Sequence, residues 1–184
     1  MPILRKLAAG VDRLNDMLGA SIRWLVLAMV FVGAGTAILR YAGRTFDWSM
    51  NLTPGTELQW YMFSLVFLMG AAYGVRHDAH VRVDVLYSTL SRTKRAWIDL
   101  VGTVLFLIPF SVVMLIVSWP AVMNSVSVRE RSPDPGGLAR WPIKIVILIS
   151  FALLIVQALS QITKYIDVIR GARVPEPQEP EVHL

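Results

Sequence analysis

No cysteine occurs among the 184 residues, so disulfides, thiolate metal sites and thiol redox relays are all excluded. Histidine is nearly as scarce: His77, His80 and His183 lie outside every long apolar run, which leaves a helical haem protein without axial ligands. Charge is missing from four stretches, residues 24–39, 58–75, 97–117 and 141–162, apart from Asp99 and Lys144, each within about a turn of an edge. Intramembrane ionisable groups usually mark a solute or proton path, and a small proton-coupled exporter would need a carboxylate inside such a run. No serine is matched to an embedded histidine and carboxylate, so no catalytic set is offered and the chain does not read as an enzyme.

What is present are the four runs themselves, each close to the roughly 20 residues that carry a helix across about 30 Å of hydrocarbon. Lipid gives the backbone no hydrogen-bond partners, so these runs are helical; a soluble bundle with unusually apolar helices is the alternative. Trp24, Trp48, Trp60, Trp97, Trp119 and Trp141 fall at run edges or in short connections, where an amphipathic ring favours the headgroup layer. The pattern predicts an all-α membrane protein with four transmembrane helices, plus amphipathic interfacial helices at the N-terminus and between two spans. Residues 1–21 form the amphipathic segment and 22–166 the transmembrane domain, with spans near 22–40, 58–75, 96–119 and 141–163. Residues 167–184, with Pro175, Pro177 and Pro180 among glutamates, read as a disordered tail.

The formal charge of +5 reports orientation rather than nucleic acid, for which nothing else argues. Arg5, Lys6, Arg13 and Arg23, then Arg76, Arg82, Arg92, Lys94 and Arg95, then Lys164, Arg170 and Arg173 gather on one side. The other side holds half as many, diluted by Asp47, Glu57, Glu130 and Asp134. Both termini are therefore expected in the cytoplasm. A cleaved signal peptide is not expected, because the first run starts late and follows Asp12 and Asp16.

Leu4, Leu7, Val11, Leu14 and Leu18 recur at helical spacing, which predicts a helix lying along the inner surface; the competing reading is a helix that extends the first span inward. A second interfacial helix is expected to start near Asp84, a capping carboxylate. Pro109 should kink or open the third span. Ser132-Pro133-Asp134-Pro135-Gly136-Gly137 has strong turn chemistry and predicts an ordered outer loop. His77-Asp78-Ala79-His80 has metal-ligand types at one-turn spacing, but two histidines and an aspartate at a basic surface read as an interfacial pair, and no metal site is assigned. Gly70 with Gly74, and Gly33 with Ala37, are small residues four apart that let helices approach closely. Thr36, Ser64, Gln157 and Ser160 are candidates for hydrogen bonds between helices, worth about 1 kcal/mol each at best.

Three segments carry a resemblance: Glu57-Leu58-Gln59-Trp60-Tyr61, then Gly70-Ala71-Ala72-Tyr73, then His77-Asp78-Ala79-His80-Val81-Arg82-Val83-Asp84-Val85. Together with the four-span plan they resemble the small membrane subunit, DctQ type, of tripartite ATP-independent periplasmic (TRAP) transporters. Ser132 to Leu138, followed by Arg140-Trp141-Pro142-Ile143-Lys144, is similar to a loop signature of one branch, although a proline often follows that leucine there and Ala139 does here.

The resemblance implies a bacterial inner-membrane complex in which a periplasmic binding protein delivers an organic acid anion to a large multispanning subunit. The substrate and sodium sites would lie in that large subunit, with no cofactor in this chain, whose helices would brace the static part of the transporter as a scaffold. Glu57, His80 and Asp84 are then expected to pin helix ends at the two interfaces. Arg129, Arg131 and Asp134, on the outer loop, are the candidate contacts to the binding protein. An independent homo-oligomeric channel, and an assembly factor without a part in transport, are the competing classes.

Overall fold

The computed structural model describes residues 2–77 and 89–171, with side chains from Lys6 onward. Among these residues the regular structure is helical apart from one isolated bridge in a loop. The helices are α1 (Pro2–Phe46), α2 (Thr53–Arg76), α3 (Arg92–Gly102), α4 (Ile108–Ser127) and α5 (Trp141–Ile169). A π-helical stretch, Thr103–Leu107, welds α3 to α4. Four helices result that are long and apolar enough to cross a membrane, the third being α3 and α4 together. His80, Asp84, the interfacial helix expected near Asp84 and the tail beyond residue 171 lie outside the described residues.

Helix α5 is central, touching every other helix. It runs antiparallel to α1, placing Gln157 by Asn15 and Lys164 by Asp12, and parallel to α2, placing Ser150 by Leu68 and Gln161 by Val75. Helix α1 lies antiparallel along α2 in a register that sets Thr36 against Gly55, Gly33 against Gln59 and Asp16 against Arg76. The start of α1 and the end of α5 therefore share one end of the bundle. The loop between α4 and α5 lies at the other.

The buried seams hold small and polar side chains: Ala72, Ala158, Ser111, Ser125, Ser150 and Gln157 are all nearly inaccessible, while large apolar side chains face outward. That inversion of a soluble core is what lipid dictates. Apolar surface gains nothing by leaving hydrocarbon, so helices associate where backbones come close and where hydrogen bonds cross.

The amphipathic segment 1–21 does not form a separate surface-lying helix. It is the first half of α1, a single helix of 45 residues, about 68 Å long at 1.5 Å per residue. No proline interrupts it. Its inward face is Ala8, Asp12, Asn15 and Gly19 rather than the leucine stripe; Asn15 and Ala8 are buried, and a Cβ on Gly19 would overlap the Tyr73 ring. A helix that simply continues the first span is thus the arrangement found.

Pro109 opens its helix, as its chemistry requires. The ring lacks an N–H and crowds the carbonyl four residues back. The preceding turn widens in response, and the Ile108 N–H reaches the Thr103 carbonyl, five residues back.

Candidate functional site

At the loop end the site is organised by Glu57, one turn into α2 and only 3% exposed. Its carboxylate accepts hydrogen bonds from the Ser132 hydroxyl and, at 2.5 Å, from the Leu138 N–H, with the Arg140 guanidinium 4.0 Å away. The loop folds back to make this possible. Asp134, Pro135, Gly136 and Gly137 form a tight turn closed by Gly137 N–H to the Asp134 carbonyl at 3.0 Å, with Gly136 at φ +74°, the left-handed position a type II turn reserves for glycine. Ser132 N–H then bonds the Leu138 carbonyl, and Arg140 N–H the Glu130 carbonyl, both at 2.9 Å. Asn51 caps the tip from the α1–α2 connection, donating to the Pro135 carbonyl at 2.7 Å. Tyr61 donates to the Ala139 carbonyl at 3.2 Å. A side chain on Gly137 would run into Ser132 and the Glu57 carboxylate, so that glycine is needed for close approach rather than for its torsions.

The hairpin tip projects Arg129, Arg131 and Asp134 outward, all exposed. Arg129 adopts φ +47° where α4 ends in a Schellman arrangement: the Glu130 N–H bonds the Ser125 carbonyl and the Arg129 N–H the Val126 carbonyl. Asp47 closes α1 in the same way at φ +56°, with the Trp48 N–H on the Gly43 carbonyl. Both ends at this face carry a charged residue where glycine is the default. Glu130 is paired with Lys144, whose ammonium holds the carboxyl below the usual carboxylate range.

The opposite end carries a second polar layer that sequence reasoning did not assemble. Asp12 accepts from Lys164 at 2.7 Å and from Gln157 and Ser160 at 3.1 Å each. Asp16 takes Arg76 at 2.6 Å and His77 at 3.0 Å. Asn15 donates to Gln157 at 2.7 Å, and Gln161 donates to the Val75 and Arg76 carbonyls that end α2, at 3.1 Å. The usable signal was the spacing of Asp12 and Asp16, four apart on one helical face with cations due at the ends of α2 and α5. Gln157 and Ser160 bond between helices, whereas Thr36 and Ser64 bond the carbonyls of Val32 and Trp60 in their own helices.

Among the small residues singled out, Gly33 lies against Gln59 and Ala37 is exposed. Gly70 is in ordinary contact range, its added Cβ meeting Ile22 at 4.0 Å, and Gly74 is half-buried. From Glu57 to Arg76 is 19 residues, about 28 Å of helix, so the two polar layers bracket one hydrocarbon thickness. No Asp, Glu, Lys, Arg or His occurs in the sequence between Glu57 and Arg76, between Asp99 and Arg129, or between Lys144 and Lys164.

Four helices long and apolar enough to cross a membrane, with α2 and α5 charged only near their ends, make this a multi-pass membrane protein. Residues 39–167 match the family described as tripartite ATP-independent periplasmic transporters, DctQ component, and the chain belongs to that family. Members of that family are, by its description, components of transporters. It is 23% identical over 133 residues to the C4-dicarboxylate TRAP transporter small permease protein DctQ of Pseudomonas aeruginosa; the match spans 71% of this chain and 63% of that relative. No solved structure matches the chain.

Proposed function

We propose that this chain is the small permease subunit of a TRAP-type transporter in the bacterial inner membrane. It braces a large multispanning subunit during sodium-coupled, binding-protein-dependent uptake of an organic acid anion. The relative's name makes a C4-dicarboxylate a natural candidate for that anion. The termini face the cytoplasm and the hairpin the periplasm, as the distribution of arginine and lysine supports. Sodium and substrate sites belong to the large partner. The hairpin presents Arg129, Arg131 and Asp134 to the periplasmic binding protein.

One observation carries the scaffold reading. In the seam between α2 and α5, polar groups are taken up by helix-to-helix bonds such as Ser150 hydroxyl to the Leu68 carbonyl at 2.5 Å and Gln161 amide to the Val75 carbonyl at 3.1 Å, and no charge lies between the two polar layers in α2 or α5 to accompany an anion. Proteoliposomes holding this chain alone should show no organic-anion uptake under a sodium gradient. Uptake should appear only when the large subunit and the binding protein are both added. Transport by the isolated chain would overturn the scaffold reading in favour of an independent channel.

A further inference from the structure

The end of α1, the start of α2 and the hairpin border a cavity of about 450 Å³. Four charged residues line it: Arg40, Glu57, Asp134 and Arg140. Their charges sum to zero, but only two of them are matched within the protein. Glu57 is held by Ser132 and Leu138 with the Arg140 guanidinium 4.0 Å away, so that pair is internally balanced. Arg40 and Asp134 are exposed, and neither the guanidinium nor the carboxylate bonds another described residue. One cation on α1 and one anion on the hairpin therefore border the same space without a protein partner.

Helix register gives the depth of this space in the bilayer. Thr36 lies against Gly55, half a turn outside Glu57, and Arg40 is one turn further along α1. Glu57 belongs to the layer that closes the hydrocarbon, so Arg40 stands about 9 Å beyond it, among lipid headgroups. Trp60, nearly a turn deeper on α2, also lines the cavity and is 42% exposed, as an indole at the interface should be. Phe63 and Phe67 continue that face of α2 into the hydrocarbon, both exposed, with ring centroids 6.5 Å apart.

A cavity of this size is at the small end of ligand sites. It holds a headgroup but not a whole lipid, whose chains would lie outside along the three aromatic rings. Such an apolar track is common to lipid-facing spans; the charged end is what is particular here.

The two unmatched charges discriminate among occupants. A dicarboxylate or a phosphate ion gains Arg40 but meets Asp134 and Glu57, with no second free cation to offset them. An anionic lipid headgroup meets the same opposition. A zwitterion satisfies both groups at once, through charge-assisted hydrogen bonds at each end.

We infer that this cavity binds one zwitterionic phospholipid with a primary ammonium headgroup, its phosphate at Arg40 and its ammonium at Asp134. The lipid joins the end of α1 to the hairpin. Neither the small-subunit reading nor the direction of insertion is needed, because the cavity meets whichever leaflet lies at the loop end.

Native mass spectrometry of the full purified chain tests the assignment. The chain is delipidated and titrated, without any binding protein, with phosphatidylethanolamine or phosphatidylglycerol of identical acyl chains. One ethanolamine lipid should be retained, preferred over the glycerol lipid by about fivefold or more. Arg40→Ala should weaken it by a similar factor, whereas Arg44→Ala, exposed one turn further on and outside the cavity, should leave it unchanged. Asp134→Asn should remove the preference but not the binding. Equal affinity of the wild type for both lipids, or a preference that survives Asp134→Asn, overturns the assignment. So does binding of soluble glycerophosphoethanolamine, succinate or inorganic phosphate with the same dependence on Arg40, which would make the occupant a free solute. In each of these cases the small-subunit reading stands, since its own test is uptake by the assembled complex.

Discussion

Glu57 shows how one side chain fixes a loop across 81 positions of sequence. Glu57→Gln keeps the shape but halves the acceptor capacity and removes the charge, and hydrogen bonds to a charged group are worth about 1.5–3 kcal/mol. The expected result is a loss of about 2 kcal/mol, seen in thermal melting in detergent, with faster hydrogen exchange at Ser132 and Leu138; unchanged exchange would show that the turn holds itself. Arg129 presents the opposite balance. Its left-handed backbone costs about 1 kcal/mol, so Arg129→Gly should raise the melting temperature while weakening binding-protein docking, and Arg129→Glu should weaken docking further. Docking measured by surface plasmon resonance on the reconstituted complex separates the two effects. Glu130 adds a pH dependence: because Lys144 lowers its folded-state pKa, its contribution is complete above about pH 5 and fades as acid carries it through that lowered value. The melting difference between the wild type and Glu130→Gln should therefore shrink on acidification, and a constant difference would rule out the pair as its source. Sequence alone could single out Glu57, a lone carboxylate at a span edge. It could not supply Ser132 and Leu138, since nothing in residue spacing says that a turn 75 positions away folds back onto it.

At the level of elements, the four spans were legible because hydrocarbon demands a length and a composition that few other structures need. The fate of residues 2–21 was not. A leucine stripe at helical spacing is identical whether the helix lies on a membrane or stands beside a bundle, and here the contacts run through Ala8, Asp12 and Asn15 on another face. Pro109 announced a disturbance, but its form, a widened turn, depends on the neighbours of α3 and α4. The Asn15–Gln157 bond ties α1 to α5, and a double-mutant cycle with Asn15→Leu and Gln157→Leu should give a coupling of about 0.5–1.5 kcal/mol. A coupling near zero would assign the contact to packing alone.

For the molecule as a whole, the two polar layers act as a ruler. Bilayers with about 28 Å of hydrocarbon should give the highest melting temperature, falling in both thinner and thicker lipids, because displacing either layer into the apolar zone costs desolvation. A flat series would place the layers outside the hydrocarbon boundary.

Ser132 and Leu138 grip the same carboxylate from either side of the turn, so the tip between them is not what joins α4 to α5. A protease that severs the peptide after Pro133 or Pro135 would leave both halves clasped. The nicked chain would keep its assembly until detergent and heat pulled the fragments apart.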